Sequence, residues 1–561
     1  MKATPGVWTA LLAGYAAIVV LMLAPVTNFG AYATAIAPGD AKLLAWTFAW
    51  TSHAIFTGTP LFDANVYYPT PHALAYMEHH VGVGIWGLPL FALTGNATLV
   101  YSVLLAAGLT LNALAMHVFA WRWFRSHAPA LVAGLVFGVS SSRLISSPHV
   151  PLIWTCWLPV ILLTLERWFA TRQWRWMGAA VAAFVLQALV GWYLALMAGL
   201  MVLLFAGWSL CWPRLRPGRL VLAQMTVGAL LAAALIWPFA RPYLALAGRE
   251  EAPPELALRY SADLGSYLYP PEHALAGPAI TRATGLPARK IGAERSQYLG
   301  LVAAILAAFG VASLCWRLGR RNTDTLLETD SFWGGFSLIL AAVAFAFSLG
   351  PSFPGSMPRL FDLVSSMPAV GMFRVPARFS VLVALAVAAL AALGIDRIRH
   401  LAPKATLPAT ALLVALMLAD WAVVPPVNAK PQPDPTPPIY RLLRQAGAHA
   451  VVSLPCHRHG DWPLDADYML YSTSHWLPIV NGYGRSQPRD YSWVVGAADA
   501  FPGPNSAAVF RRVGVDHVVL HAGRYPDGAR AILDEVSAGR DYRMVAHDGN
   551  DYVFQVLPAR Q

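Results

Sequence analysis

Asp40 stands between Gly39 and Ala41, shortly after a first apolar run, in a chain of 561 residues that holds only 29 Asp and Glu. A carboxylate kept near lipid is partly desolvated. That raises its basicity and suits it to take a proton from a hydroxyl as the oxygen attacks carbon. The same hydrophilic segment carries His53, Asp63, Glu78, His79 and His80. Glu78 is the second candidate acid. The histidines and Asp63 could touch substrate or, with the acids, hold a divalent metal. Each also has a plainer reading. Gly-Asp is an ordinary turn or helix cap, Asp63 in Asp63-Ala64-Asn65 is a turn former, and Glu78 is a solvated charge.

Basic residues supply the other half of the chemistry. Arg374 and Arg378 lie in Phe373-Arg374-Val375-Pro376-Ala377-Arg378-Phe379, just before an apolar run. Two arginines four apart can share one helical face, and a guanidinium grips phosphate oxygens with a two-pronged fork. Phosphate on a lipid carrier would sit at that depth, although anchoring to lipid headgroups uses the same residues. Arg143 and His149 are further candidates of the same kind. The polar stretch Cys456-His457-Arg458-His459-Gly460-Asp461 reads as a surface loop. Cys156, Cys211, Cys315 and Cys456 are too scattered for a metal pair or a disulfide framework.

These residues must be positioned by membrane helices. The chain is 57% hydrophobic and 12% charged, against about a quarter charged in soluble domains. Its net charge of +11 gathers in short inter-helix loops, which argues against nucleic-acid binding. About eleven apolar runs reach membrane-crossing length: 7–26, 97–120, 128–145, 150–168, 176–191, 193–211, 219–240, 297–316, 331–349, 379–394 and 407–425. The first reads as an uncleaved helix rather than a signal peptide, although Ala31-Tyr32-Ala33 follows it. The run near 81–93 is short, rich in Gly and Pro, and reads as interfacial. Asp420 is the acid that falls near a span end.

Loop charge sets orientation. Lys2, Arg122, Arg125, Arg167, Arg172, Arg175, Arg214, Arg216, Arg219, Arg317, Arg320, Arg321, Arg397, Arg399 and Lys404 alternate consistently onto one side. The N-terminus is therefore expected in the cytoplasm, and the segments 28–80, 241–296 and 350–378 outside it. The fold expected is a polytopic α-helical membrane protein with a small C-terminal α/β extracytoplasmic domain. Residues 1–428 form the membrane domain with its first outer loop at 28–80. Residues 429–438 form a proline-rich linker, and 439–561 the outer domain. Strand-like runs there are 450–454, 479–481, 517–521, 543–547 and 552–556, with helix-like stretches at 440–447 and 527–539.

Four stretches carry a likeness. They are Gly39-Asp40-Ala41 with Leu43-Leu44-Ala45-Trp46 and Trp50; Phe62-Asp63-Ala64-Asn65-Val66-Tyr67-Tyr68-Pro69 with Glu78-His79; Phe373 to Phe379; and Val480-Asn481-Gly482-Tyr483 with Gly514-Val515-Asp516-His517-Val518-Val519. In this order the chain resembles the GT-C class of membrane glycosyltransferases, and more narrowly its bacterial YfhO-like, glycosyltransferase-like branch. The resemblance implies a catalytic acid in the first outer loop, a polyprenyl-phosphate-type sugar donor, inversion at the anomeric carbon, and in some members a divalent metal. Asp40 takes the place of the base. Many members have two adjacent acids there, whereas Asp40 has none beside it, so Glu78 stands in as the second. The function implied is sugar transfer to a cell-envelope acceptor (glycan, lipid or protein) on the outer face of a bacterial inner membrane. Two other readings use the same sequence: a transporter or flippase of lipid-linked glycans, and an inactive assembly factor.

Overall fold

The computed structural model describes residues 5–23, 39–246, 254–272, 274–285, 293–319, 325–352, 374–422, 435–456 and 464–559. Most of the proline-rich linker, Ala31-Tyr32-Ala33, Phe373 and positions 457–461 lie outside the described residues. Contacts group the chain into two compact units, each discontinuous in sequence. One comprises Met1–Thr27 and Leu104–Pro426, the other Asn28–Val103 and Val427–Gln561.

Ten helices among the described residues are long and apolar enough to cross a bilayer. The expected run at 176–191 is the helix Trp174–Val190. Its 17 residues rise about 26 Å, at the short end of what spans a hydrocarbon core. The Gly- and Pro-rich run is a 14-residue helix, Val81–Thr94.

In the first unit the helix Ser380–Leu401 is the core. Its apolar window is 94% buried, against 22% for the helix Arg219–Leu246. The burial follows from composition: Ala, Val and Leu fill the helix on every side, so no face needs water. It lies against Leu301–Gly319 at a two-glycine contact. A Cβ on Gly310 would come within 2.5 Å of the Leu390 carbonyl, and one on Gly394 within 2.3 Å of the Leu306 carbonyl. Small residues let membrane helices approach this closely, where dispersion replaces the missing hydrophobic drive.

Two of the span helices run further than the apolar runs read from the sequence, and the added turns carry acids. Asp396 lies within Ser380–Leu401 and Asp330 within Thr325–Leu349. Asp420 itself closes a helix start. It accepts hydrogen bonds from the Leu301 amide at 2.8 Å and the Tyr298 hydroxyl at 3.0 Å, which supplies a partner to an otherwise orphaned first-turn N–H.

The second unit carries a four-stranded sheet in the order β1-β2-β4-β3. The strands are β1 (Val451–Leu454), β2 (His517–His521), β3 (Tyr542–Asp548) and β4 (Asp551–Val556). β1 and β2 are parallel, and the other pairs antiparallel. Four of the five strand-like runs are thus strands. The fifth, 479–481, makes one isolated bridge, Val451 to Ile479. Its other edge meets the first hydrophilic segment: Ile479 donates to the Asn65 carbonyl at 2.8 Å, and Tyr68 donates back to the Ile479 carbonyl at 3.0 Å. Gly482 is required there, because a Cβ would fall 2.4 Å from the Tyr67 ring. The helix Asp40–Thr57 is packed against Val81–Thr94 and against Leu464–Ser472.

Candidate functional site

Two polar clusters contain the expected residues, one in each unit. In the second unit Asp40 opens the helix Asp40–Thr57 directly after Gly39. An acid in a first helical turn is favoured by the positive end of the helix dipole. The Tyr483 hydroxyl donates to Asp40 Oδ1 at 2.9 Å, so two of the four sequence stretches meet at this carboxylate. Lys42, two residues on, is ion-paired with Asp467. Arg524 Nη2 donates to the other Asp467 oxygen at 3.1 Å, and its guanidinium lies 5.0 Å over the Tyr468 ring. Asp465, two residues earlier on the same helix, accepts from Asn481 Nδ2 at 2.9 Å and the Tyr491 hydroxyl at 3.3 Å.

The remaining first-segment residues are dispersed by their own local partners. Asp63 Oδ1 accepts from the His72 amide at 3.1 Å, and the His72 ring lies 3.0 Å away, which closes the loop. His53 stacks on Trp476 with centroids 4.2 Å apart. Burial, then Arg444, lowers its pKa. Glu78 faces His80 at 3.9 Å. His79 is 1% exposed and its Nδ1 accepts from the Val81 amide. Burial, then His80, depresses its pKa to about 3, so the ring is neutral. Among the described residues no three His, Cys, Asp or Glu side chains gather as a metal-holding set. No step below passes through a metal.

In the first unit the second cluster lies at the beginning of the buried helix Ser380–Leu401. Arg378 grips Glu294 with both prongs, Nη2 to Oε1 at 2.8 Å and Nε to Oε2 at 3.4 Å. Its guanidinium covers the Tyr193 ring at 4.8 Å. His149 Nε2 is 3.5 Å from Glu294 Oε1. Arg143 is 4% exposed. Its Nε and Nη1 each donate to a backbone carbonyl, of Phe137 and Leu152, at 3.2 Å, while its buried Nη2 has no hydrogen-bond partner among the described residues. Arg143, Arg378, Glu294, Gln297 and Ser380 line one cavity of about 30 Å³, room for a water or a single oxygen of a ligand.

Arg374 does not share a helical face with Arg378. Pro376 begins a short 3-10 turn, Pro376–Phe379, and Val375 before it lies outside the helical region at φ −128°, ψ 77°. A residue preceding proline is pushed out of the helical region, so Arg374 sits before the turn. Its backbone amide donates to the Tyr193 hydroxyl at 2.9 Å.

Sequence reasoning missed Glu294 and Gln297, which lie just before the helix Leu301–Gly319, and Asp465 and Asp467 with Lys42 and Arg524. The Leu464-Asp465-Ala466-Asp467 spacing was a readable signal in so acid-poor a chain.

No protein-family model matches the sequence, and no protein of curated function matches it. Among solved structures, arabinofuranosyltransferase AftD from Mycobacteria aligns with 98% of this chain at 14% identity and a TM-score of 0.59. The chain has a GT-C fold. It spans 40% of AftD's length. The oligosaccharyltransferase AglB from Archaeoglobus fulgidus aligns over 92% of this chain and 69% of its own, at 15% identity and a TM-score of 0.48. ArnT from Cupriavidus metallidurans aligns over 96% and 97%, at 13% identity and a TM-score of 0.33. The fold assignment rests on the first. None of these alignments bears on the narrower YfhO-like resemblance.

Proposed function

We propose that this GT-C protein is a membrane glycosyltransferase that moves a sugar from a polyprenyl-phosphate-type donor to a cell-envelope acceptor on the extracytoplasmic face. The observation that carries the proposal is Arg143. A guanidinium buried in a membrane bundle, with one nitrogen left unpaired beside a polar cavity, is costly unless an anion completes it. A lipid-linked phosphate at the interface is such an anion, and Arg378 beside the same cavity adds a second cation. Arg374 is assigned to the same donor as an outer contact.

The chemistry has two demands. An acceptor oxygen must lose its proton as it bonds to the anomeric carbon. The bond from that carbon to the phosphate oxygen must break, with the electron pair leaving on the phosphate. Asp40 is assigned the proton. Arg143 and Arg378 are assigned the leaving phosphate, whose growing charge they stabilise. His149, through Glu294, positions Arg378.

The test is a deletion strain complemented with wild type, Arg378→Gln, Arg143→Gln or Asp40→Ala. Wild type should restore the glycosylated envelope component. The variants should insert normally yet leave the lipid-linked sugar unspent on the outer leaflet. Trapping of that precursor on the inner leaflet would replace this reading with transport. Full restoration by Asp40→Ala would indicate a scaffold.

A further inference from the structure

A second and larger cavity lies in the first unit at the other end of the same buried helix. From Ser380 to His400 the helix rises about 30 Å, so this cavity is far from Arg378. It measures about 550 Å³, within the range of small-molecule and lipid-headgroup pockets. Four helix ends form it: Trp123 to Arg125, Ser313 to Arg317, Thr329 and Asp330, and Leu393 to His400.

Its charges are arranged in two tiers. Arg317 Nη1 meets Asp330 Oδ2 at 2.6 Å, and Trp123 Nε1 donates to Asp330 Oδ1 at 3.0 Å. Arg399 Nη2 meets Asp396 Oδ1 at 2.7 Å, with His400 Nδ1 3.3 Å from the other oxygen. These pairs fix the frame. Arg125 and Arg397 have no carboxylate partner among the described residues. They lie instead over indole rings, Arg125 over Trp121 at 5.5 Å and Arg397 over Trp316 at 5.6 Å. Among the described residues lining the cavity, four arginines stand against two aspartates, an excess of two positive charges. Phe124, Leu314 and Leu393 supply an apolar wall.

We infer that this cavity binds the phosphate group of an anionic ligand through Arg125 and Arg397, with an anionic phospholipid headgroup as the occupant that the apolar wall favours. Planar guanidinium forks suit phosphate oxygens, and stacking on tryptophan holds the forks open without neutralising them. The site takes no part in the proposed transfer and does not depend on it.

Native mass spectrometry of the full chain, delipidated and then offered phosphatidylglycerol or phosphatidylcholine, tests the inference. Wild type should retain the anionic lipid preferentially. One arginine near a membrane-surface phosphate strengthens binding roughly fivefold, so Arg125→Gln/Arg397→Gln should weaken retention roughly twenty- to thirtyfold. Its melting temperature in phosphatidylcholine alone should match wild type. If inorganic phosphate displaces the lipid and protects Arg125 and Arg397 from a guanidine-modifying reagent, the source is a soluble phosphate. Equal retention of both lipids by wild type, with no protection by phosphate, would overturn the site even if the double variant failed to fold.

Discussion

The Arg378 cluster of the helix bundle and the Asp40 cluster of the second unit both hold charges away from bulk water, but in opposite ways. In the bundle, cations drawn from positions 143 and 378 are met by backbone carbonyls and by Glu294. In the Asp40 cluster, Asp40 accepts from the Tyr483 hydroxyl, and Asp465 from an amide and a phenol. The exception within that cluster is Asp467, which takes both Lys42 and Arg524. That exception is instructive. Lys42 is two residues from Asp40, and its pairing with Asp467 keeps a nearby ammonium occupied elsewhere. A carboxylate held by a phenol keeps more of its proton affinity than one held by an ammonium. Under the proposed function, the bundle cluster would receive the negative charge of the leaving phosphate and the Asp40 cluster would supply the base.

The sharpest way to break this contrast is at the base. Asp40→Asn keeps the shape and a hydrogen bond to Tyr483 but cannot accept a proton. Turnover should fall about 10²- to 10⁴-fold, the usual worth of a general base, with membrane insertion unchanged. Retained activity would transfer the role to another acid. Glu78 is the one to examine, by the matching Glu78→Gln variant.

Next in size is the bundle. Arg378→Gln should lower turnover about 10²- to 10³-fold, the cost of losing one preorganised stabiliser of developing charge. Glu294→Gln is the discriminating partner. It leaves Arg378 charged but loosely held, so the Michaelis constant for the donor should change more than turnover. If both variants behave alike, the pair is structural glue and the phosphate is bound elsewhere.

How much of this was legible from sequence follows the same division. The bundle was legible because twenty-residue apolar runs have few meanings, and the strands of the sheet because alternating β-branched runs end at turn residues. The Arg378–Glu294 grip was not, since residues 84 apart are joined only by how helices close. The Arg374–Arg378 spacing misled because Pro376, visible in the sequence, breaks the helix that the spacing assumes. Asp396 and Asp330 fall outside the apolar runs because hydropathy windows stop at the first charge, whereas backbone hydrogen bonding continues for another turn. In the second unit, the pairing of residues 65–68 with 479–481 joins segments about 410 positions apart, and no local pattern announces it.

Tyr483→Phe should give a smaller effect, about tenfold in turnover. It removes one hydrogen bond to a charged group without disturbing the ring's packing. Protein level and melting temperature should be close to wild type. Adding Asp467→Asn should deepen the loss by releasing Lys42 toward Asp40. A double variant no worse than Tyr483→Phe alone would show that the Lys42–Asp467 pair has no bearing on the base.

The smallest effect concerns stability rather than transfer, and it isolates the second unit from the first. His79 is buried and neutral, with its pKa lowered to about 3, while an unfolded histidine titrates near 6.5. Below that value the unfolded chain binds a proton that the folded chain refuses, so stability falls as pH drops from about 6.5 toward 3. At pH 5 the loss is on the order of 2 kcal/mol, equivalent to about 1.5 units of titration at 1.36 kcal/mol each. His79→Asn retains an acceptor for the Val81 amide and cannot be protonated. The wild-type chain in detergent should therefore melt several degrees lower at pH 5 than at pH 7.5, and the variant should show a visibly flatter dependence. Parallel pH profiles would mean that His79 reaches water in the folded state, and that the segment joining Glu78 to the helix Val81–Thr94 opens more readily than its burial indicates.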